Sequence, residues 1–313
     1  MFVLEKYWLL CYILFILPTK GFIMTVTETA FAKINLLLDI TGVMENGYHS
    51  VNTVMQSVSL CDTVTLSTRT DNELILSCNI EGVPTDSSNL AIRAALAFRE
   101  KTEIEVGADI HIKKNIPVAG GLAGGSADAA ATLKALNKIC GEPLSTEQLC
   151  AIGGRLGADI PFCIMGGTAF ADGKGDVLHY FPKMPDCFIV IASGGEGVST
   201  PMAYGMLDSI YGDFTEESEY APVYLDALTC AAEAANLDGI VKSMFNIFES
   251  PILSIRPVAA EIKRSMLSSG AIGAMMSGSG PSIFGIFKDE ATARLACDSI
   301  RAIGVIPHLC TPC

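Results

Sequence analysis

The stretch from Pro117 to Ala130, PVAGGLAGGSADAA, constrains this chain more than any other. Four glycines, Gly120, Gly121, Gly124 and Gly125, stand directly before Ser126 and Asp128, and an alanine-rich helical run follows from Ala129 to Ala135. Without a Cβ, glycine lets backbone N–H groups crowd around a ligand. A helix that starts where the glycines stop aims unsatisfied N–H groups and a partial positive charge at the same spot. Together these make an anion site suited to phosphate. Ser126 is the expected N-cap, and its hydroxyl can also reach a phosphate or a metal ion. Two known phosphate fingerprints do not fit. Gly120 and Gly125 have Walker A spacing, but Ser126 stands where that motif needs Lys. Ala119 and Ala123 break both registers of the dinucleotide G-x-G-x-x-G. Gly-rich turns also serve tight packing, and for the loop taken alone that alternative stays open.

Half of the 313 residues are hydrophobic, enough for one large domain or two ordinary ones. The net charge of −13 argues against a nucleic-acid partner, which would want a basic face. It leaves nucleotides open, since local N–H groups and a few lysines hold those. The eleven cysteines are scattered and odd in number. Cys310-Thr311-Pro312-Cys313 has C-x-x-C spacing, but no helix follows to lower a thiol pKa. No Cys/His group has zinc spacing, and reduced cytosolic thiols are the simplest reading. The apolar run Tyr7–Leu17 resembles a signal core, yet Pro18-Thr19-Lys20-Gly21 is a poor cleavage site. The run is also shorter than the about 20 residues a membrane span needs. We therefore read residues 1–24 as a leader, with Met24 as the true start and a weak membrane anchor as the alternative. The rest is expected in the cytoplasm with no membrane partner; a homodimer stays open.

Val26–Ile40 reads as one or two strands, followed by an Asn46-Gly47 turn. Asp62–Thr68 and Glu73–Cys78 alternate cleanly and predict a hairpin or meander. A helix is expected over Asn89–Lys101 with Asn89 as N-cap, and another from the Ser145/Gln148 capping box to about Leu156. Further on, Thr168–Ala171 and Phe188–Ala192 read as strands. Pro201–Ser209, Ala221–Ala235, Pro257–Ser269 and Glu290–Ile303 read as helices, and Met275–Phe287 as strand, SGSG turn, strand. The elements do not alternate as βαβ, so the class is α+β and not a doubly wound sheet.

Two further motifs carry chemistry. In Ala32-Lys33-Ile34-Asn35, alternation puts Lys33 and Asn35 on one strand face, where a cation and an amide can converge on a ligand. A solvated strand face is the plain alternative. In Gly157-Ala158-Asp159-Ile160-Pro161-Phe162, a lone Asp follows a capped helix and is either a turn-former or a catalytic carboxylate.

The order AKINLLLDITGVMENGYHSVNTVMQSVSLCDTV, PVAGGLAGGSADAA, LGADIPFCIMGGTAFADGKGD, SGSGPSIF resembles the GHMP kinase superfamily, from about Met24 to about Phe287. The Lys33-x-Asn35 segment joined to Gly47-Tyr48-His49 is similar to the branch that phosphorylates a diphosphocytidyl polyol at its 2-hydroxyl. The resemblance implies a two-domain GHMP kinase fold of α+β class, with the active site in an interdomain cleft. The ATP-binding domain would span 25–166 and the C-terminal domain 167–313. It implies ATP as co-substrate with Mg²⁺, and Asp159 and Lys33 as the catalytic pair. The ATP phosphates would lie on Pro117, Val118, Ala119, Gly120, Gly121, Leu122, Ala123, Gly124, Gly125, Ser126 and Ala127. Asn89 and Lys114 fall on the nucleoside side, although Lys113 adjoins Lys114. Asn35, Tyr48, His49, Thr200 and Tyr204 match substrate-side positions, with Tyr48 and His49 reading cytosine. Gly278–Gly280 match a third motif whose loop packs against the site. Ala127-Asp128 departs from the Ser-Asn of some members, so a second hydroxyl is missing here. The alternatives are another GHMP small-alcohol kinase, of homoserine or mevalonate type, or a non-catalytic GHMP-fold sensor.

Overall fold

The computed structural model describes residues 23–45, 47, 49–212 and 221–313. Residues 1–22, Asn46, Tyr48 and 213–220 lie outside the described residues, and with them all of the expected leader but its last two residues and half of the expected turn. Strands and helices are mixed without βαβ alternation, and the class is α+β. The described chain packs as two compact units that interleave in sequence. One holds residues 23–30, Asp62–Lys114 and Gly125–Ile164; the other holds Phe31–Cys61, Asn115–Gly124 and Met165–Cys313. A linear split at Gly166 follows the order of the chain and not its packing. The cause is two long strands, β1 (Thr25–Val43) and β2 (His49–Arg69), each of which carries residues of both units.

In the first unit the end of β2 pairs antiparallel with β4 (Gly107–Lys113), while β3 (Leu74–Cys78) lies parallel on the other side of β4. The expected hairpin between Asp62–Thr68 and Glu73–Cys78 is therefore not formed. Both segments are strands, but β4 comes between them. Alternation reports a half-buried strand and says nothing about its partner. Helices α1 (Leu90–Thr102), α2 (Gly124–Ile139), α3 (Thr146–Leu156) and α4 (Ile160–Met165) complete this part of the chain. The alanine run of α2 has its reason here. Ala127, Ala129, Ala130, Ala131, Leu133, Ala135 and Leu136 are all buried, so the helix is covered on nearly every side and small residues are what fit. The Ser145–Gln148 capping box forms with both hydrogen bonds, as its spacing predicts.

In the second unit β7 (Phe188–Ser193), β9 (Gly273–Met276), β10 (Ser282–Phe287) and β11 (Pro307–Cys310) make an antiparallel sheet in the order β11-β7-β10-β9. Every residue of β10 is buried. Helices α9 (Pro257–Ser268) and α10 (Glu290–Ala302) place Ile262, Met266, Ala293, Ala296 and Ile300 in one core with Val190, Ile283 and Phe287. The same unit contains β5 (Thr168–Asp172), β6 (Val177–Tyr180), β8 (Phe245–Asn246), α5 (Thr200–Tyr211), α6 (Ala221–Glu233), α7 (Leu237–Lys242) and α8 (Glu249–Ile255). Among the described residues no helix is long and apolar enough to cross a membrane.

Candidate active site

The glycine loop divides into two parts with different reasons for being glycine. Gly121 has φ +78, and a methyl there would run into the carbonyl oxygen of Ser277. A methyl on Gly120 would collide with Ser282 Oγ. Gly121 is thus glycine because the Ser277-Gly278-Ser279-Gly280 turn packs against it, and Gly120 because the start of β10 does. Hydrogen bonds fix the contact: Ser282 N–H donates to Gly120 O at 3.2 Å, and Ser277 Oγ to Gly121 O at 3.0 Å. The packing alternative holds for this half, and the left-handed positions Ala119 and Ala123, with φ 54 and 56, belong to the same tight path.

Gly124 and Gly125 differ. Neither has a positive φ, and they are the first residues of α2. Gly125 is exposed, and a methyl on it would meet Leu90 Cδ1 at an ordinary 3.7 Å. Ser126 is therefore inside the first turn and not the expected N-cap. The helix starts three residues earlier than a cap at Ser126 implies, because glycines outside left-handed geometry continue it. The residue before it, Ala123, has no side-chain acceptor, and the first turn contains no acidic residue. These N–H groups and the helix dipole suit an anion. The half-buried Ser126 adds a hydroxyl beside its own unsatisfied N–H. The residues present fit a nucleotide phosphate.

Lys33 and Asn35 lie on β1 as the alternation predicts, but not on a solvated face: they are 4 % and 3 % exposed. Lys33 Nζ donates to Asn35 Oδ1 at 2.7 Å and to Gly121 O at 3.4 Å, while the Lys33 N–H donates to Leu122 O at 3.1 Å. Asn35 Nδ2 donates to Thr53 Oγ1 at 2.8 Å, and Thr53 passes its hydrogen to Leu37 O. A buried ammonium is costly unless compensated. Here it is compensated by an amide and by the carbonyl of the glycine loop.

Asp159 is half-buried and opens α4, where its carbonyl accepts the Cys163 N–H at 3.0 Å. A methyl on Gly157 would lie 3.9 Å from Ser126 Oγ. The first turn of α2 therefore adjoins the Gly157-Ala158-Asp159 turn, although the two are distant in sequence.

Asn89 and Lys114 are engaged within the fold. Asn89 Oδ1 accepts the Ala91 N–H at 2.9 Å as helix cap, and its Nδ2 donates to Pro84 O at 2.7 Å. Lys114 is buried with its ammonium between Asp62 and Asp128; the Asp128 contact is 2.6 Å. Lys113 is exposed. One ammonium cannot neutralise two buried carboxylates, so desolvation, with the charge of Asp62 acting in the same sense, pushes Asp128 up to about 7. The two carboxylates raise Lys114 against its burial. This triad was not legible in sequence, because its members lie on β2, just past the end of β4 and on α2.

On the substrate side, His49 Nε2 lies 2.8 Å from Asp208 Oδ1. Its ring meets Tyr204 at a centroid distance of 4.6 Å and a tilt of 31°, and Tyr204 stands edge-on to Phe248 at 5.0 Å. Thr200 is exposed at the start of α5, two turns from Asp208, and Ser199 caps that helix. Tyr48 lies outside the described residues. Sequence reasoning missed Asp208; the available signal was its i+4 spacing from Tyr204, which puts both on one helix face.

Burial pushes the Cys310 thiol up to about 12, and partial desolvation raises the thiol of Cys313, an exposed residue, to about 11. Such thiols are poor nucleophiles. Among the described residues no group of three or more His, Cys, Asp or Glu side chains is disposed to hold a metal ion.

Residues 89–167 match the family model for the GHMP kinases N terminal domain and residues 229–306 that for the GHMP kinases C terminal domain. The chain belongs to the GHMP kinase family. It is 41 % identical over 278 residues to the 4-diphosphocytidyl-2-C-methyl-D-erythritol kinase of Exiguobacterium sibiricum, covering 89 % of this chain and 94 % of that protein. The enzyme of the same name from Clostridium perfringens is 40 % identical over 272 residues, covering 87 % and 92 %. A crystal structure of 4-(cytidine 5'-diphospho)-2C-methyl-D-erythritol kinase superposes with TM-score 0.73 at 28 % identity, over 92 % of this chain and 99 % of that one. Homoserine kinase from Cytophaga hutchinsonii shares the fold at TM-score 0.71 and 18 % identity.

Proposed function

We propose that this chain transfers the γ-phosphoryl group of ATP to the 2-hydroxyl of 4-diphosphocytidyl-2-C-methyl-D-erythritol, in the methylerythritol phosphate route to isoprenoid precursors. The observation that carries the reading is the convergence at Ser126. The hydroxyl in the first turn of a phosphate-suited helix lies beside the turn that bears Asp159. The β- and γ-phosphates of ATP rest on the unsatisfied N–H groups of the first turn, Gly124, Gly125 and Ser126, to which the Pro117–Ala123 loop leads. Mg²⁺ would accompany ATP; Ser126 Oγ is the side-chain oxygen that would help to hold it, and the ion would neutralise phosphate charge.

Asp159 orients the substrate hydroxyl and accepts its proton as the phosphoryl group is attacked. Lys33 supplies fixed positive charge where negative charge develops on the transferred group. The buried bond to Asn35 holds that ammonium in place, and Asn35 lies toward the polyol. His49 and Tyr48 recognise cytosine, with Tyr204 behind His49 and Thr200 at the same helix. Asn89 and Lys114 act on the nucleoside side through the elements they hold, since their polar atoms are already bonded. The enzyme works in the cytoplasm, a reading supported by the cysteines of the sequence, scattered and odd in number.

ADP release measured with the cytidyl polyol, homoserine, mevalonate and phosphomevalonate tests the assignment. Turnover with the first alone supports it. Turnover with any of the others, or ATP binding with no turnover, supports another GHMP kinase or a sensor instead.

A further inference from the structure

We infer that Asn246 is a positioning residue for phosphoryl transfer: it fixes the turn whose Ser277 shares both acceptors of the Lys33 ammonium, and so sets where that charge lies. The inference rests on the reading of Lys33 as the cation that faces the transferred group. Asn246 is 6 % exposed and ends β8, the short strand that pairs parallel with β1 at Leu37 and Leu38. Its Nδ2 donates to Met276 O at 2.7 Å and to Gly278 O at 2.9 Å, while its Oδ1 accepts the Phe248 N–H at 2.9 Å. Both amide hydrogens face carbonyl oxygens and the amide oxygen faces an N–H, so only one orientation of the carboxamide satisfies all three contacts.

The turn held in this way leads to the buried lysine. Ser277 is fully buried, and its Oγ lies 3.0 Å from Gly121 O and 3.4 Å from Asn35 Oδ1, with one hydrogen directed between them. Those are the two oxygens to which Lys33 Nζ donates, at 3.4 Å and 2.7 Å respectively. Hydrogen bonds thus close a ring within the second unit. Strand β1 pairs with β8, Asn246 holds the turn, and Ser277 returns to the Lys33–Asn35 pair on β1.

The turn needs such a clamp. Gly278 and Gly280 have φ +56 and +73, and glycine has little conformational preference of its own. The internal bond from Gly280 N–H to Ser277 O, at 3.0 Å, closes the turn without aiming it. Asn246 grips the carbonyls on either side of Ser277 and thereby aims the hydroxyl. Without the amide, two buried carbonyls lose a donor and the turn relaxes to recover one. Ser277 then moves relative to Gly121 O and Asn35 Oδ1, and the ammonium settles elsewhere between them. A misplacement of about 1 Å, caused far from the chemistry, can cost about 10²-fold in rate. Because Asn246 acts through Lys33, the effect falls on kcat and not on the affinity for either substrate.

The test is a double-mutant cycle of wild type, Lys33→Met, Asn246→Ala and the two combined, with Ser277→Ala carried through the same cycle. For each, kcat and the KM values for ATP and the cytidyl polyol are measured on protein whose fold is checked by circular dichroism. Asn246→Ala and Ser277→Ala should each lower kcat by about ten-fold, with both KM values within about two-fold of wild type. On the Lys33→Met background neither should lower kcat further, because the charge that they place is gone. The same ten-fold loss with and without Lys33 would make both packing residues; it would overturn the inference and leave the role of Lys33 standing. A wild-type kcat in folded Asn246→Ala would overturn it too. If Asn246→Ala does not fold, Ser277→Ala decides, and an undiminished kcat there overturns the inference. Wild-type turnover in Lys33→Met would overturn the reading of Lys33 and the inference with it.

Discussion

Lys33 and Asn35 are joined on one face of a buried strand, ammonium to amide oxygen, at 2.7 Å. The bond directs a buried positive charge at the carbonyl of Gly121, in the loop that we assign to phosphate. Lys33→Met keeps the length and loses the charge. It should lower kcat by about 10²–10³, the usual cost of removing one electrostatic contact to a transition state. Steady-state kinetics on folded variant would check this, and surviving specific activity would make Lys33 structural.

Asp159→Asn keeps the shape of the side chain and cannot accept a proton. Turnover should fall by about 10²–10⁴ while ATP affinity stays within a few-fold. Calorimetric ATP titration beside a turnover assay separates the two effects. Near-normal turnover would reduce Asp159 to a turn-former.

Gly121 and Gly125 should respond differently to alanine. At Gly121 the methyl meets the Ser277 carbonyl and the backbone is left-handed, so Gly121→Ala should unfold at clearly lower denaturant concentration. Gly125→Ala has room and sits in a helix, where alanine is favoured by roughly 1 kcal/mol. It should be at least as stable as wild type and yet show a raised ATP KM, because its methyl intrudes where phosphate approaches the backbone. Unchanged ATP affinity in Gly125→Ala would remove the helix start from the phosphate site.

Asp128 gives the chain a pH signature. Its folded pKa of about 7 lies above the about 3.9 of an exposed aspartate. A group raised on folding contributes stability that is full below the unfolded value and is lost as pH rises through the folded one. Between pH 4 and 7 this carboxyl should therefore make wild type progressively less stable. Urea unfolding of wild type and Asp128→Asn at several pH values should show that slope in wild type and a flatter one in the variant. Parallel curves would mean that Lys114 neutralises Asp128 throughout.

The motifs were legible because their signals are local. Glycines before an alanine run, a capping box and strict alternation each report on a few neighbouring residues, and Lys33 with Asn35 lies as alternation requires. What escaped the sequence depends on partners far along the chain. The β2–β3 hairpin failed because β4 inserts between them. The Lys114 ion triad draws on three segments of the chain, and the bond from Asp208 to His49 spans 159 positions. Even the glycines were only half legible: periodicity cannot tell a residue that is small for a ligand from one that is small for the Ser277–Gly280 turn.

The central claim is tested most directly by the product. The enzyme is incubated with ATP, Mg²⁺ and 4-diphosphocytidyl-2-C-methyl-D-erythritol, and the product is read by ³¹P NMR with proton coupling retained. Our account predicts one new phosphomonoester resonance, on the tertiary 2-hydroxyl and therefore without the splitting that a neighbouring carbinol proton would cause, formed in step with ADP. A new resonance on any other hydroxyl, or ADP formed with no phosphorylated polyol, would contradict it.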